Sequence, residues 1–192
     1  MRYLDSNYTD TLEVKKSKFI TYLMPYKEFL SMMKQLKLDH PKARHFVYAY
    51  RYLNEFDQIV ENCSDDGEPK GTSGKPSLSV LSGADLINTA VIIVRYFGGI
   101  KLGTGGLVKA YSEAVNLVLK SSKTINYVKL EYKNLYIEYS QLSKIEYSIS
   151  LLEINIKNKI FTEKICLELE ASTEEYDKLS NEIFRDNILE DL

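Results

Sequence analysis

The chain of 192 residues has no tryptophan, two histidines, two cysteines and four prolines. Cys63 and Cys166 stand far apart and form no CxxC pair, which argues against a disulfide framework and makes a reducing cytoplasm the expected compartment. Long apolar runs are missing too. The longest purely aliphatic stretch, Ala90–Val94, falls far short of the roughly 20 residues that a membrane helix needs. Met1–Asp10 has no apolar h-region, so no signal peptide is expected. Nor is there a large charge excess. A net −2 excludes a uniformly basic nucleic-acid binder but leaves room for a basic face. What is present, 44% apolar and 27% charged residues, is ordinary globular composition, long enough for one large domain or two small ones.

Glycine divides the chain by where it is absent. All nine glycines lie between Gly67 and Gly106, and residues 126–192 contain neither glycine nor proline. Glycine serves where the backbone needs positive φ or a close approach, so this window is where the chain turns sharply or meets a ligand. Charge divides the chain as well. Residues 1–125 hold 17 Lys+Arg against 13 Asp+Glu, a net +4, while residues 126–192 hold 8 against 14, a net −6. Two domains, 1–125 and 126–192, are therefore expected.

Lys18–Met24 reads as a strand stopped by Pro25, and Tyr26–Leu38 as a helix with Phe29, Leu30, Met33, Leu36 and Leu38 toward one face. His45–Tyr52 alternates with period two. Phe46, Tyr48, Tyr50 and Tyr52 share one side, either a core face or a stacking platform for bases; His45, Val47, Ala49 and Arg51 share the other. Phe56–Glu61 is placed to pair with that strand. Ala90–Phe97 is a continuous β-branched run, the mark of a buried strand. Leu107–Lys120 predicts an amphipathic helix with Leu107, Ala110, Tyr111, Ala114 and Val118 inward. Further on, the pattern predicts a strand (128–139), a helix (141–152), two strands (154–161 and 164–170), and a helix from a Ser172/Glu175 capping box through Asn187. That β-α-β-β-α order is ferredoxin-like, with no last strand evident.

Two loops carry the candidate chemistry. Gly98–Gly106 lies between a strand and a helix, where unpaired N–H groups favour an anion, and Lys101 and Lys109 add full charges. The nucleotide motifs fail: GxxxxGK[ST] requires lysine where Thr104 stands, and no GxGxxG occurs. A tight strand-to-helix turn and contact with a nucleic-acid backbone are the two readings left. Ser64–Pro76 presents Asp65, Asp66 and Glu68, carboxylates close enough in sequence to hold Mg²⁺ through waters but without EF-hand alternation. Turn formation and capping are the commoner use of such residues. A possible ligand site comprises His45, Arg51, Asp65, Asp66, Glu68, Gly103, Gly105 and Gly106. No catalytic constellation is evident, and no metal or cofactor is expected.

SDDGEPKGTSGKP at Ser64–Pro76 and RYFGGIKLGTGGLVKAY at Arg95–Tyr111 closely resemble the IMPACT/YigZ family. KKSKFI at Lys15–Ile20 and ARHFVYAYR at Ala43–Arg51 support the match, in family order and spacing. The resemblance implies an α+β fold. Its N-terminal domain would be a left-handed βαβ module resembling a ribosomal small-subunit protein and domain four of elongation factor G, followed by a small ferredoxin-like domain. Both relatives work on RNA and ribosomes, and the eukaryotic family member regulates translation through an additional N-terminal domain that this resemblance does not reach. Two departures are local: Lys109 stands where the family commonly has arginine, and Ser73 where it has alanine. Lys109 keeps the charge but not the bidentate fork.

The function implied is a cytoplasmic, translation-linked regulatory protein, not an enzyme, that contacts RNA or the ribosome. Arg95, Lys101, Thr104 and Lys109 around the second loop, with Lys70, Thr72 and Lys75 in the first, are the expected phosphate contacts. The acidic second domain faces away from RNA or meets a protein partner; no membrane contact is expected. The alternative is a small-molecule hydrolase, peptidase-like, or a phosphate-ligand enzyme using the acidic loop with His45.

Overall fold

A computed structural model describes residues 1–183 and 188–191. The chain folds as two compact units, Met1–Tyr127 and Val128–Leu192. The first contains, in order, β1 (Arg2–Tyr3), β2 (Tyr8–Val14), β3 (Ser17–Pro25), α1 (Phe29–Asp39), β4 (His45–Leu53), β5 (Ile59–Ser64), α2 (Gly74–Gly83), β6 (Thr89–Tyr96), α3 (Gly103–Ser121) and β7 (Ile125–Asn126). A division at residue 125 would cut through β7. That strand pairs with β1, and Tyr127 donates its N–H to the Met1 carbonyl, which keeps both with the first unit.

The main sheet has the order β2-β3-β6-β4-β5, with every pair antiparallel. Because β3 and β4 are each antiparallel to β6, they run parallel, and α1 carries the chain between them. By the same logic β5 and β6 run parallel, linked through α2. The β-branched run of β6 is buried on both faces. Val91 and Ile93 pack with Leu81, Leu107, Tyr111 and Val115, while Ala90, Ile92 and Val94 pack with Phe29 and Leu36 of α1. The aromatic side of β4 is core, not an open platform: the Phe29 ring sits 5.1 Å from Tyr48 and 5.2 Å from Tyr50.

Two expectations shift in register. A 3-10 turn at Tyr26–Glu28 delays α1, so its inward stripe runs Phe29, Met32, Met33, Leu36, and Leu30 and Leu38 are exposed. Helix α3 begins at Gly103, four residues before Leu107, because Gly103 turns in at φ +74° and the following residues are already helical. The glycines expected in a loop thus form the first turn of a helix.

The second unit contains β8 (Glu131–Ile137), α4 (Leu142–Leu151), β9 (Asn155–Phe161), β10 (Ile165–Ala171), α5 (Thr173–Glu182) and β11 (Ile188–Asp191). Its antiparallel order β11-β8-β10-β9 supplies the last strand, completing a ferredoxin-like β-α-β-β-α-β sheet. The core comprises Leu135, Ile137, Ile145, Ile149, Leu167 and Leu179 among others. The capping box forms as the residues imply: Ser172 Oγ accepts the Glu175 N–H, and Glu175 accepts the Ser172 N–H at 2.7 Å. Helix α5 ends at Glu182, with Ile183 extended at ψ 134°. The expected continuation to Asn187 falls on residues 184–187, outside the described residues.

Candidate nucleic-acid interface

The two glycine-bearing loops meet. One joins β5 to α2 and the other joins β6 to α3. Glu68 and Pro69 of the first face Arg95, Phe97, Lys101 and Thr104 of the second across a cavity of about 380 Å³. Spacing alone leaves this convergence open; the sheet order produces it, because β4 separates β5 from β6 by one strand.

Glu68 and Arg95, which line the cavity, join Tyr111 in a buried polar triad. Arg95 Nη1 donates to Glu68 Oε1 at 2.5 Å, and Tyr111 OH donates to the same oxygen at 2.8 Å. The Arg95 and Glu68 side chains are 6% and 4% exposed. The guanidinium lies over the Phe19 and Phe97 rings, 5.3 and 5.8 Å from their centroids. Burial, and then the adjacent Glu68 carboxylate, push the Tyr111 hydroxyl far above the usual phenol range, so it stays a donor. Arg95 is therefore neutralised within the protein and is not a free phosphate contact. Its Nε is buried without a partner.

Asp65 organises the first loop. Its Oδ1 accepts from the Ser73 N–H, the Ser73 hydroxyl at 2.6 Å and the Gly74 N–H at 2.8 Å, and its Oδ2 accepts from the Gly71 N–H at 2.7 Å. Burial pushes this carboxyl up, but the four donors outweigh it and hold Asp65 below the ordinary carboxylate range. Asp66 Oδ2 accepts the Phe46 N–H at 2.6 Å, and its carbonyl meets His45 Nδ1 at 2.8 Å. The three carboxylates thus turn to three different sets of protein donors. Among the described residues no group of His, Cys, Asp and Glu is arranged to hold a metal ion. The three carboxylates hold the turn of the loop, the start of β4 and the Arg95 guanidinium.

The remaining expected residues separate by exposure. Thr72 is buried, with its hydroxyl donating to the Pro69 carbonyl at 2.7 Å, so it makes no outward contact. Arg51 lies at the far end of β4, buried, donating to Glu61 at 2.6 Å and to the Leu86 carbonyl at 2.8 Å; it does not join His45 in a ligand site. Lys70, Lys75, Lys101, Thr104 and Lys109 are exposed, as are Gly103 and Gly105, with Gly106 half-buried. No side chain caps the N-terminus of α3. Its first-turn N–H groups lack intrahelical partners and, beside Lys101 and Thr104, make an anion-attracting end.

Sequence reasoning missed Lys42, Arg44 and Phe97. With His45, Arg95 and Tyr96 they line a second cavity of about 280 Å³ that shares Arg95 and Phe97 with the first. Arg44 and Phe97 sit inside two of the family-like motifs, and Lys42 directly precedes the first of them. Only the pairing of β4 with β6, which sets His45 opposite Arg95, brings them together.

Comparison with known proteins agrees with the fold and the motifs. The model of the Impact N-terminal domain matches residues 15–119. An IMPACT family member of Haemophilus influenzae is 37% identical over 174 residues, spanning 89% of this chain and 84% of that protein. The IMPACT family member YigZ of Escherichia coli is 42% identical over 137 residues, 70% of this chain and 67% of that one. A solved structure described as a hypothetical protein matches with a TM-score of 0.68 at 33% identity, covering 100% of this chain and 96% of that chain. The chain belongs to the IMPACT family.

Proposed function

We propose that the protein is a translation-linked regulatory factor that contacts RNA or the ribosome through the first unit. One observation carries the reading: the cavity between the two loops opens at the uncapped N-terminus of α3, beside Lys101 and Thr104. Lys70, Lys75 and Lys109, exposed on the same two segments, supply further charge for phosphates. The first unit keeps the net +4 of its sequence, and the second the net −6. The resemblance to ribosome-acting domains supports the same assignment. The acidic second unit is left for a protein partner, and the cytoplasm is the compartment that fits two free cysteines. No helix among the described residues is long and apolar enough to cross a membrane.

Against the enzyme reading weighs that Asp65, Asp66 and Glu68 each accept hydrogen bonds from protein donors. The test is co-sedimentation with ribosomes at two salt concentrations, beside a Lys101→Glu/Lys109→Glu double variant. Pelleting that weakens with salt and is lost in the variant supports the proposal. Pelleting insensitive to salt, or none, overturns it.

A further inference from the structure

Resting on that reading, we infer that Phe97 is a stacking platform for an unpaired base, and that the RNA recognised is single-stranded or looped rather than duplex. Phe97 is 56% exposed and lines both cavities. It is held from both sides. The preceding residue, Tyr96, has its hydroxyl 2.9 Å from His40 Nδ1, and His40 Nε2 in turn meets the Tyr22 hydroxyl at 3.0 Å. The following residue, Gly98, donates its N–H to Ser17 Oγ at 3.1 Å and has no room for a side chain against the Lys16 backbone. These contacts anchor the chain on either side of Phe97, and its ring stands exposed between the anchors. Beneath it lies the Arg95 guanidinium, which polarises the ring.

Charge complementarity selects the occupant. Lys42 and Arg44 on one side and Lys101 on the other are exposed, and none has an ion-pair partner among the described residues. Of the neighbouring carboxylates, Glu68 is neutralised by Arg95, and Asp66 is tethered to the Phe46 N–H while keeping its charge, leaving the exposed cations in excess. Arg95 lines both cavities, but it is buried and paired with Glu68, so the charge that faces a ligand comes from Lys42, Arg44 and Lys101. An aromatic ring between two sets of cations matches a strand whose bases stack while its phosphates pass on either side. A duplex keeps its bases stacked internally and has no use for the ring.

The test is fluorescence anisotropy on the full chain with an oligouridylate of about 12 nucleotides and an RNA duplex of the same length. The oligouridylate is expected to bind more tightly. Phe97→Ala weakens it about 5- to 100-fold without changing the salt slope, and Phe97→Tyr restores it. Lys42→Gln/Arg44→Gln lowers the log–log salt slope by about 1.4. Unchanged thermal melting of Phe97→Ala confirms that the ring is not needed for folding. Equal binding of the two probes, or a Phe97→Ala variant as tight as the parent, overturns the inference while ribosome pelleting still upholds the wider reading. Loss of pelleting in the parent protein removes both. A change in self-association mass on Phe97→Ala, with RNA affinity unchanged, assigns the ring to a contact between copies and also overturns it.

Discussion

Arg95 and Glu68 face each other at 2.5 Å beneath the candidate interface, with Tyr111 donating to the same Glu68 oxygen. A buried pair of this kind contributes little net stability relative to apolar residues, yet removing one partner strands the other. Glu68→Ala should therefore destabilise the first unit by about 3–5 kcal/mol in urea unfolding, since Arg95 is left charged and buried. The double variant Glu68→Leu/Arg95→Met should recover most of that loss. Equal destabilisation in the single and double variants contradicts the pairing.

Asp65 gives the first loop an acid-sensitive anchor. Its carboxyl is held below the ordinary range in the folded chain. A depressed folded value means that the charged form stabilises the fold above the unfolded value. That contribution is lost as pH falls through the folded one. Asp65→Asn should cost about 2 kcal/mol at neutral pH, because one neutral amide oxygen replaces a carboxylate accepting four donors. The gap between parent and variant should shrink below about pH 4, as the parent's own carboxyl becomes protonated. Urea unfolding at neutral and acidic pH measures the gap; a gap that is constant or widens in acid contradicts this role.

Much of this was legible in the residues. The buried β6 strand, the inward side of α3 and the Ser172/Glu175 cap followed from periodicity and local hydrogen-bonding chemistry. The site was harder to read because the same residue types serve two ends. Asp65, Thr72 and Arg95 look like surface chemistry in sequence but are turned inward by partners up to 27 residues away in the chain. Lys42, Arg44 and Phe97 gain meaning only from strand pairing. The α3 start was misplaced because three glycines signal a loop by propensity, whereas tertiary packing of Leu107 and Tyr111 holds that turn helical.

The second unit allows a local check on helix entry. Ser172→Ala removes the Oγ that accepts the Glu175 N–H and also frees the Glu175 carboxylate from the Ser172 hydroxyl. A loss of about 1 kcal/mol is expected, read as a lower urea midpoint with an unchanged m-value. No change in midpoint would mean that packing of Tyr176 and Leu179 alone fixes α5.

Two glycines in the second loop should respond in opposite directions to the same methyl group. A Cβ on Gly98 would lie 2.0 Å from the Lys16 carbonyl carbon and 2.3 Å from the Ser17 nitrogen, and both are backbone atoms. The β2–β3 turn, with Lys15 and Lys16 both at positive φ, must then move away, and the Gly98 N–H to Ser17 Oγ bond is lost with it. Gly98→Ala should cost about 1–3 kcal/mol through this overpacking. Gly105 sits in the first turn of α3 with nothing within 4 Å of its Cβ position. Gly105→Ala should add about 0.5–1 kcal/mol by restricting the unfolded chain. Because Gly98 also fixes Phe97, Gly98→Ala should weaken oligouridylate binding as well, while Gly105→Ala leaves the Phe97-dependent share intact. If both variants destabilise the fold equally, close approach to Lys16 is not what requires glycine at position 98.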